Sequence, residues 1–174
     1  MSAPTQALAR PVEGAVLAAA IKELGITHVL TVPDSHQKTV LDVLAKGTQP
    51  RLLTICTEDE AVGMNMGLYA GGQKPMLIIQ NNGLYAGINA IKALSFEARV
   101  PLLMMIGEFV RDPAVPSREN RSRAVRMLEP VLETWGIPYF RIDGPEDVGK
   151  LAQAHQQSLD NRGPVAVIIG ARTI

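Results

Sequence analysis

Cysteine is nearly absent: Cys56 is the single example in the chain. That excludes an internal disulfide and a zinc site built on cysteines, and it fits a reducing, cytoplasmic setting. Net charge is absent as well, because 17 Lys plus Arg balance 17 Asp plus Glu. No basic stripe with interleaved aromatics appears, so nothing points to nucleic acid. Zero net charge also gives little protection against association. No apolar run approaches the ~20 residues needed to cross a membrane. The opening MSAPTQALARPVEG has no apolar signal-peptide region and reads as a loose arm over residues 1–10. Several motifs are missing too: the phosphate loop GxxxxGK[ST], GxGxxG after the first strand, HExxH and GxSxG. The nucleotide-binding, zinc-protease and serine-hydrolase readings therefore lack their main support.

What is present is a folded composition, 47% hydrophobic and 20% charged, over 174 residues. This suits one domain, placed at residues 11–174, with a sizeable core. Apolar spacing predicts a helix over 12–24, with Gly25 as its stop. THVLTV is a first strand ending in the turn cluster Pro33-Asp34-Ser35-His36. Helix 37–45, strand 52–55, helix 59–70, strand 76–79 and helix 85–94 follow. Residues 101–106, PLLMMI, are apolar throughout, as in a parallel strand buried on both faces. Residues 107–120 read as a long loop of mixed charge. Helix 123–135, strand 137–142, a helix from 145 to about 161 and strand 164–169 complete the chain. Helix and strand alternate with short connections. The expected fold is α/β, a three-layer, doubly wound and mostly parallel six-stranded sheet with helices on both faces.

The stretch 54–83 concentrates the chemistry. Glu58, Asp59 and Glu60 follow a strand end and open a small-residue helix. An isolated Glu58 would be a helix cap, or simply solvated. Gly63 and Gly67, flanking Asn65, weaken that helix by ~1 kcal/mol each against alanine; their spacing permits close approach of a partner chain. Gln80-Asn81-Asn82-Gly83 is either a turn or a wall of amides facing a polar ligand. In VPDSH, His36 is either solvated or an acid–base group, and Asp34 and Ser35 are either an N-cap or a binding pair. His28 and His155 read as structural. The arginines 118, 121, 123 and 126 form either a solvated face or an anion or partner contact. The methionines 64, 66, 104, 105 and 127, with Trp135, read as core or interface packing.

Taken together, VPDS, EDEAVGMNMGLYAGGQKP and QNNGLYAGINAIKAL resemble the pyrimidine-binding domain of thiamine diphosphate-dependent decarboxylases. The likeness is to the sulfopyruvate and phosphonopyruvate decarboxylase group and spans nearly the whole chain. It implies that Glu58 hydrogen-bonds the cofactor's aminopyrimidine and thereby assists loss of CO2 from a 2-oxo acid; Glu60 is the other candidate. It also implies Pro33, Asn82, Gly83 and Leu84 beside the cofactor. Asp34, Ser35, His36, Asn81 and Asn82 would meet the substrate, with His36 also a catalytic candidate. Asp34 would have to turn away from an anionic substrate or act as an N-cap. Asn82 stands where the group has Ser, and Tyr85-Ala86 where it has Gly-Asn; these departures are expected on the substrate side. The group's Gly-Asp-Gly motif for the metal and diphosphate does not occur here. The resemblance therefore implies an alpha subunit without metal ligands, sharing thiamine diphosphate and Mg2+ with a beta subunit that carries the diphosphate-binding domain. A hetero-oligomer such as α2β2 or larger is expected. A carboligating synthase or lyase subunit, or a non-catalytic binding protein of the same fold, remain as alternatives.

Overall fold

The computed structural model describes residues 8–174. The expected arm over residues 1–10 lies mostly outside them. Its last two residues are tied down, through Ala9 N–H to Pro113 O at 3.2 Å and Arg10 N–H to Asp143 O at 2.7 Å.

Among the described residues six strands form one sheet. They are β1 (His28–Thr31), β2 (Arg51–Thr54), β3 (Pro75–Gln80), β4 (Leu102–Gly107), β5 (Tyr139–Ile142) and β6 (Pro164–Ile169). The order is β2-β1-β3-β4-β6-β5, and every neighbouring pair is parallel. The sheet is thus wholly rather than mostly parallel. The helices are α1 (Gly14–Glu23), α2 (Lys38–Ala45), α3 (Glu58–Ala70), α4 (Asn81–Ile91), α5 (Arg123–Thr134) and α6 (Lys150–Asn161).

The unbroken apolar runs fill two cores because successive strand side chains point to opposite faces. Leu103 and Met105 of β4 pack with Leu17, Ile21, Val40, Leu44 and Leu151 of α1, α2 and α6. Leu102, Met104 and Ile106 pack with Val62, Leu84, Ile91, Leu128 and Leu132 of α3, α4 and α5. Each such fully buried side chain contributes roughly 1.5–3 kcal/mol.

Three local expectations change. Gln80-Asn81-Asn82-Gly83 is not a turn ahead of a helix, since α4 begins at Asn81. Asn81 Oδ1 accepts the Asn82 N–H at 3.0 Å, which satisfies one donor of the first helical turn. β2 is an edge strand whose Leu52 and Leu53 are only half buried. The loop over 107–120 contains a short 3-10 turn, Ser117–Glu119.

Strand order positions the site. From β1 the chain moves outward to β2, then returns past β1 to β3, so connections leave the carboxyl ends of β1 and β3 in opposite directions. In open parallel sheets, ligands bind at such a switch point. The VPDSH turn, the start of α3 and the start of α4 all lie at that edge.

Candidate active site at the carboxyl edge of the sheet

Glu58 is the first residue of α3, after Thr57 in extended conformation (φ −141°, ψ 156°). With Asp59 and Glu60 it places three acids at the positive end of the helix dipole. Their surroundings separate them. The Glu60 Oε2 accepts the Cys56 N–H at 3.3 Å, and Glu60 is exposed. The half-buried Glu58 instead lies across α4. A Cβ on Gly83 would sit 2.6 Å from Glu58 Cγ and 2.7 Å from Cδ. A Cβ on Gly87, one turn further along, would meet the Glu58 backbone at 3.5 Å. Two glycines at positions i and i+4 of α4 therefore form a cradle for Glu58, Gly83 against its carboxyl end and Gly87 against its backbone. Gly87 escaped the sequence reading, although its spacing from Gly83 on one helix face was a usable signal.

Other amides at this edge divide in role. Asn81 is fully buried and its Nδ2 has no partner, whereas Asn82 is exposed. Buried amide donors are ordinarily satisfied, and Asn81 Nδ2 is an exception among the described residues. Leu84 is wholly buried in the core rather than at the surface, and Pro33 is exposed. Asn65 is a structural tie, with Nδ2 donating to Pro101 O at 3.2 Å. Tyr85, expected on the substrate side, instead donates its hydroxyl to Ala124 O and joins α4 to α5. Burial pushes its phenol up to about 12, with Glu108 adding to the effect.

The turn after β1 is knitted into the sheet. Asp34 is turned inward: Oδ1 accepts the His36 N–H and Oδ2 accepts Gln37 Nε2, both at 2.7 Å. It is not the N-cap of α2, a position held by Gln37. Gln37 Nε2 also reaches Ile79 O at 3.0 Å and so ties the β1 turn to the end of β3. The sequence reading passed over Gln37, because a helix-start glutamine is ordinary until its burial is known. Gly107 makes room: a Cβ there would stand 3.0 Å from Asp34 Oδ2 and from His36 Cδ2. His36 is 5% exposed, and its Nε2 donates to Ile169 O at 3.1 Å. A carbonyl only accepts, so Nε2 carries the proton and Nδ1 is the free acceptor. Burial lowers the His36 pKa, against a smaller opposing effect of Asp34. Ser35 is exposed beside it.

The arginines divide likewise. Arg118 pairs with Glu129 at 2.8 Å and with Glu133, and Arg126 Nη1 donates to Asn120 O at 2.6 Å. A cavity of about 500 Å³ at the opposite, amino edge, lined by Tyr69, Lys74 and His155 among others, contains none of the predicted site residues. Among the described residues no three His, Cys, Asp or Glu side chains are grouped as metal ligands.

Residues 13–113 match the family described as thiamine pyrophosphate enzyme, N-terminal TPP binding domain. The chain belongs to that family. It is 33% identical over 156 residues to sulfopyruvate decarboxylase subunit alpha of Methanococcus maripaludis, covering 87% of this chain and 90% of that one. It is 26% identical over 152 residues to sulfopyruvate decarboxylase of Methanosarcina acetivorans, covering 87% of this chain but 38% of that one. Among solved structures, benzoylformate decarboxylase from Polynucleobacter necessarius superposes with a TM-score of 0.72 at 16% identity, over 95% of this chain. The chain spans about a third of that protein's length, 32%. No helix among the described residues is long and apolar enough to cross a membrane.

Proposed function

We propose that this chain is the alpha subunit of a heteromeric, thiamine diphosphate-dependent 2-oxo-acid decarboxylase of the sulfopyruvate and phosphonopyruvate type, working in the cytoplasm. The observation that carries the reading is the Glu58 carboxylate laid on the Gly83–Gly87 face of α4 at the sheet's switch point. The residues present fit an aminopyrimidine. Glu58 offers a carboxyl oxygen to a ring nitrogen, and Asn81 Nδ2 is a buried amide donor without a partner. Thiamine diphosphate, when bound, supplies the electron sink for loss of CO2. The Glu58 carboxyl would make its hydrogen bond to the ring in a pocket that a partner subunit closes to water. Exclusion of water strengthens that hydrogen bond. Ser35 and the His36 Nδ1 flank the substrate side of the same edge, while Asp34, turned inward, keeps its charge away from an anionic substrate.

A partner subunit supplies the diphosphate-binding half and the Mg2+ ligands. Two relatives support the division. The Methanococcus protein named as subunit alpha matches this chain over 90% of its length, whereas the Methanosarcina protein, named without a subunit, matches over only 38%. The exposed free thiol of Cys56 suits the cytoplasm.

The test is Glu58→Gln in the complex with the partner subunit. Calorimetry is expected to show retained thiamine diphosphate binding, while CO2 release falls by about 10²–10⁴-fold. Glu60→Gln serves as the control and keeps most activity. Undiminished CO2 release from the Glu58 variant would remove that residue from the reaction.

A further inference from the structure

Beside the β1 turn, the same sheet edge holds a cavity of about 320 Å³ between the segments that follow β1, β4 and β6. Ser35, His36, Phe109, Arg111 and Arg172 are among its lining residues. The Arg111 side chain is only 1% exposed. Its Nη1 is anchored, donating to Glu108 Oε2 at 2.8 Å and to Asp143 Oδ1 at 3.0 Å. Gly170 makes that seat, since a Cβ there would overlap both Asp143 Oδ1 and Arg111 Nη1. The remaining nitrogens, Nε and Nη2, are buried and have no partner. Together they form the edge of a guanidinium that takes two oxygens of an anion side by side. Arg172 is exposed, lines the same cavity and forms no ion pair among the described residues. At the rim, Val110 holds φ at 61°, a rare conformation for a β-branched residue. Such strain persists where the surrounding structure enforces it, and functional sites are where it gathers.

We propose that this cavity is an oxyanion subsite, taking a sulfonate, phosphonate or carboxylate group on the free edge of Arg111 with Arg172 at its mouth. The nearby carboxylates do not occupy that edge. Glu108 and Asp143 engage Nη1, and both oxygens of Asp34 are taken by His36 N–H and Gln37. The group has two sources of one chemistry: the distal acid group of a 2-oxo-acid substrate, which rests on the decarboxylase reading, or a free small anion acting as an effector, which does not.

Two measurements test the subsite. In the first, the melting temperature of the full chain is followed against sodium sulfate, with ionic strength held constant by sodium chloride. A saturating rise is expected, and Arg172→Ala or Arg111→Lys moves its midpoint about tenfold higher. Should Arg111→Lys not fold, Arg172→Ala still decides. In the second, the complex with the partner subunit is assayed on 3-sulfopyruvate and on pyruvate. If the substrate is the source, Arg172→Ala raises KM about tenfold more for 3-sulfopyruvate than for pyruvate. A sulfate response that the variants weaken, without that KM difference, assigns the subsite to a free anion. Neither a saturating sulfate response nor a KM difference overturns the proposal. A complex that decarboxylates no 2-oxo acid would sink the enzymatic reading alone, and the sulfate titration would still judge the subsite.

Discussion

Gly83 shows how one missing Cβ can matter more to chemistry than to folding. The atoms it would displace belong to the flexible end of Glu58, not to backbone. Gly83→Ala should therefore leave stability within about 1 kcal/mol, because alanine also favours the helix by a similar amount. The Glu58 carboxyl, however, is pushed off α4. We expect CO2 release by the assembled complex to fall at least about tenfold while the chain's urea midpoint barely moves. A large loss of stability with normal turnover would show the cradle to be mere packing. His36 makes a different prediction. Its folded pKa lies below the ordinary value of 6.5, chiefly through burial. The unfolded chain therefore takes up the proton first as pH falls, so stability is full above about 6.5 and declines below it. His155 is lowered too, by burial and then by Lys74, and acts in the same window. The melting temperature should drop between about pH 7 and pH 5. His36→Asn should flatten part of that slope, and His155 should keep the rest. At this scale the sequence showed Glu58 by its place between strand and helix, and the family resemblance set it ahead of Glu60 by its distance before Gly67. The structure adds that Glu58, and not Glu60, lies against α4. Gln37 and Arg111 were illegible, since burial and unpaired atoms have no signature in residue type.

α3 carries its glycines outward. Gly67 has open space around it, and Gly63 meets only Leu94 Cδ1 at 4.0 Å. The close helix–helix approach inside this chain comes from α4 instead. Gly67→Ala is therefore expected to stabilise the free chain by up to about 1 kcal/mol. Gly67→Leu should fold as well and weaken assembly with the partner subunit if α3 is the shared surface. Analytical ultracentrifugation of the mixture would reveal it, and unchanged assembly would move the interface elsewhere. The segment after β4 looks polar and irregular in sequence, yet it covers a buried ionic cluster. Glu108, fully buried, pairs with Arg111 and Arg141 at 2.8 Å, and Arg141 with Glu129 and Asp143 at 2.8 Å. Burial would raise the Asp143 pKa, but hydrogen bonding and charge from Arg141, then Arg111, hold it below the usual carboxylate range. Removing one member leaves uncompensated charge in the interior. Glu108→Gln should cost about 3–5 kcal/mol in urea unfolding. Residues 107–120 are thus the loop their composition suggests, but one that ion pairing and hydrogen bonding through the buried Glu108, Arg111, Ser117 and Asn120 tie to the core.

At the scale of the whole molecule, the sheet is complete while the site is open. Glu58 is half exposed, and Asn81 Nδ2 is buried without a partner. Both fit the proposed half-pocket that a partner subunit would complete. Thiamine diphosphate should bind the isolated chain at least about a hundredfold more weakly than the complex, as measured by calorimetry with and without the partner subunit. Equal affinity in the two would mean that this chain holds the cofactor unaided.

The order of local choices belonged to the sequence. Unbroken apolar runs, punctuating glycines and capping acids define strands buried on both faces and the helices that cover them, because these signals act over a few neighbouring residues. The acid–small-residue–amide stretch pointed to its family for the same reason. The tertiary structure alone decided which strands lie at the edge, which of three acids rests on α4, and where an arginine keeps half its guanidinium unpaired. Those outcomes depend on contacts between residues far apart in the chain, where geometry and burial rather than residue identity determine what each side chain can do.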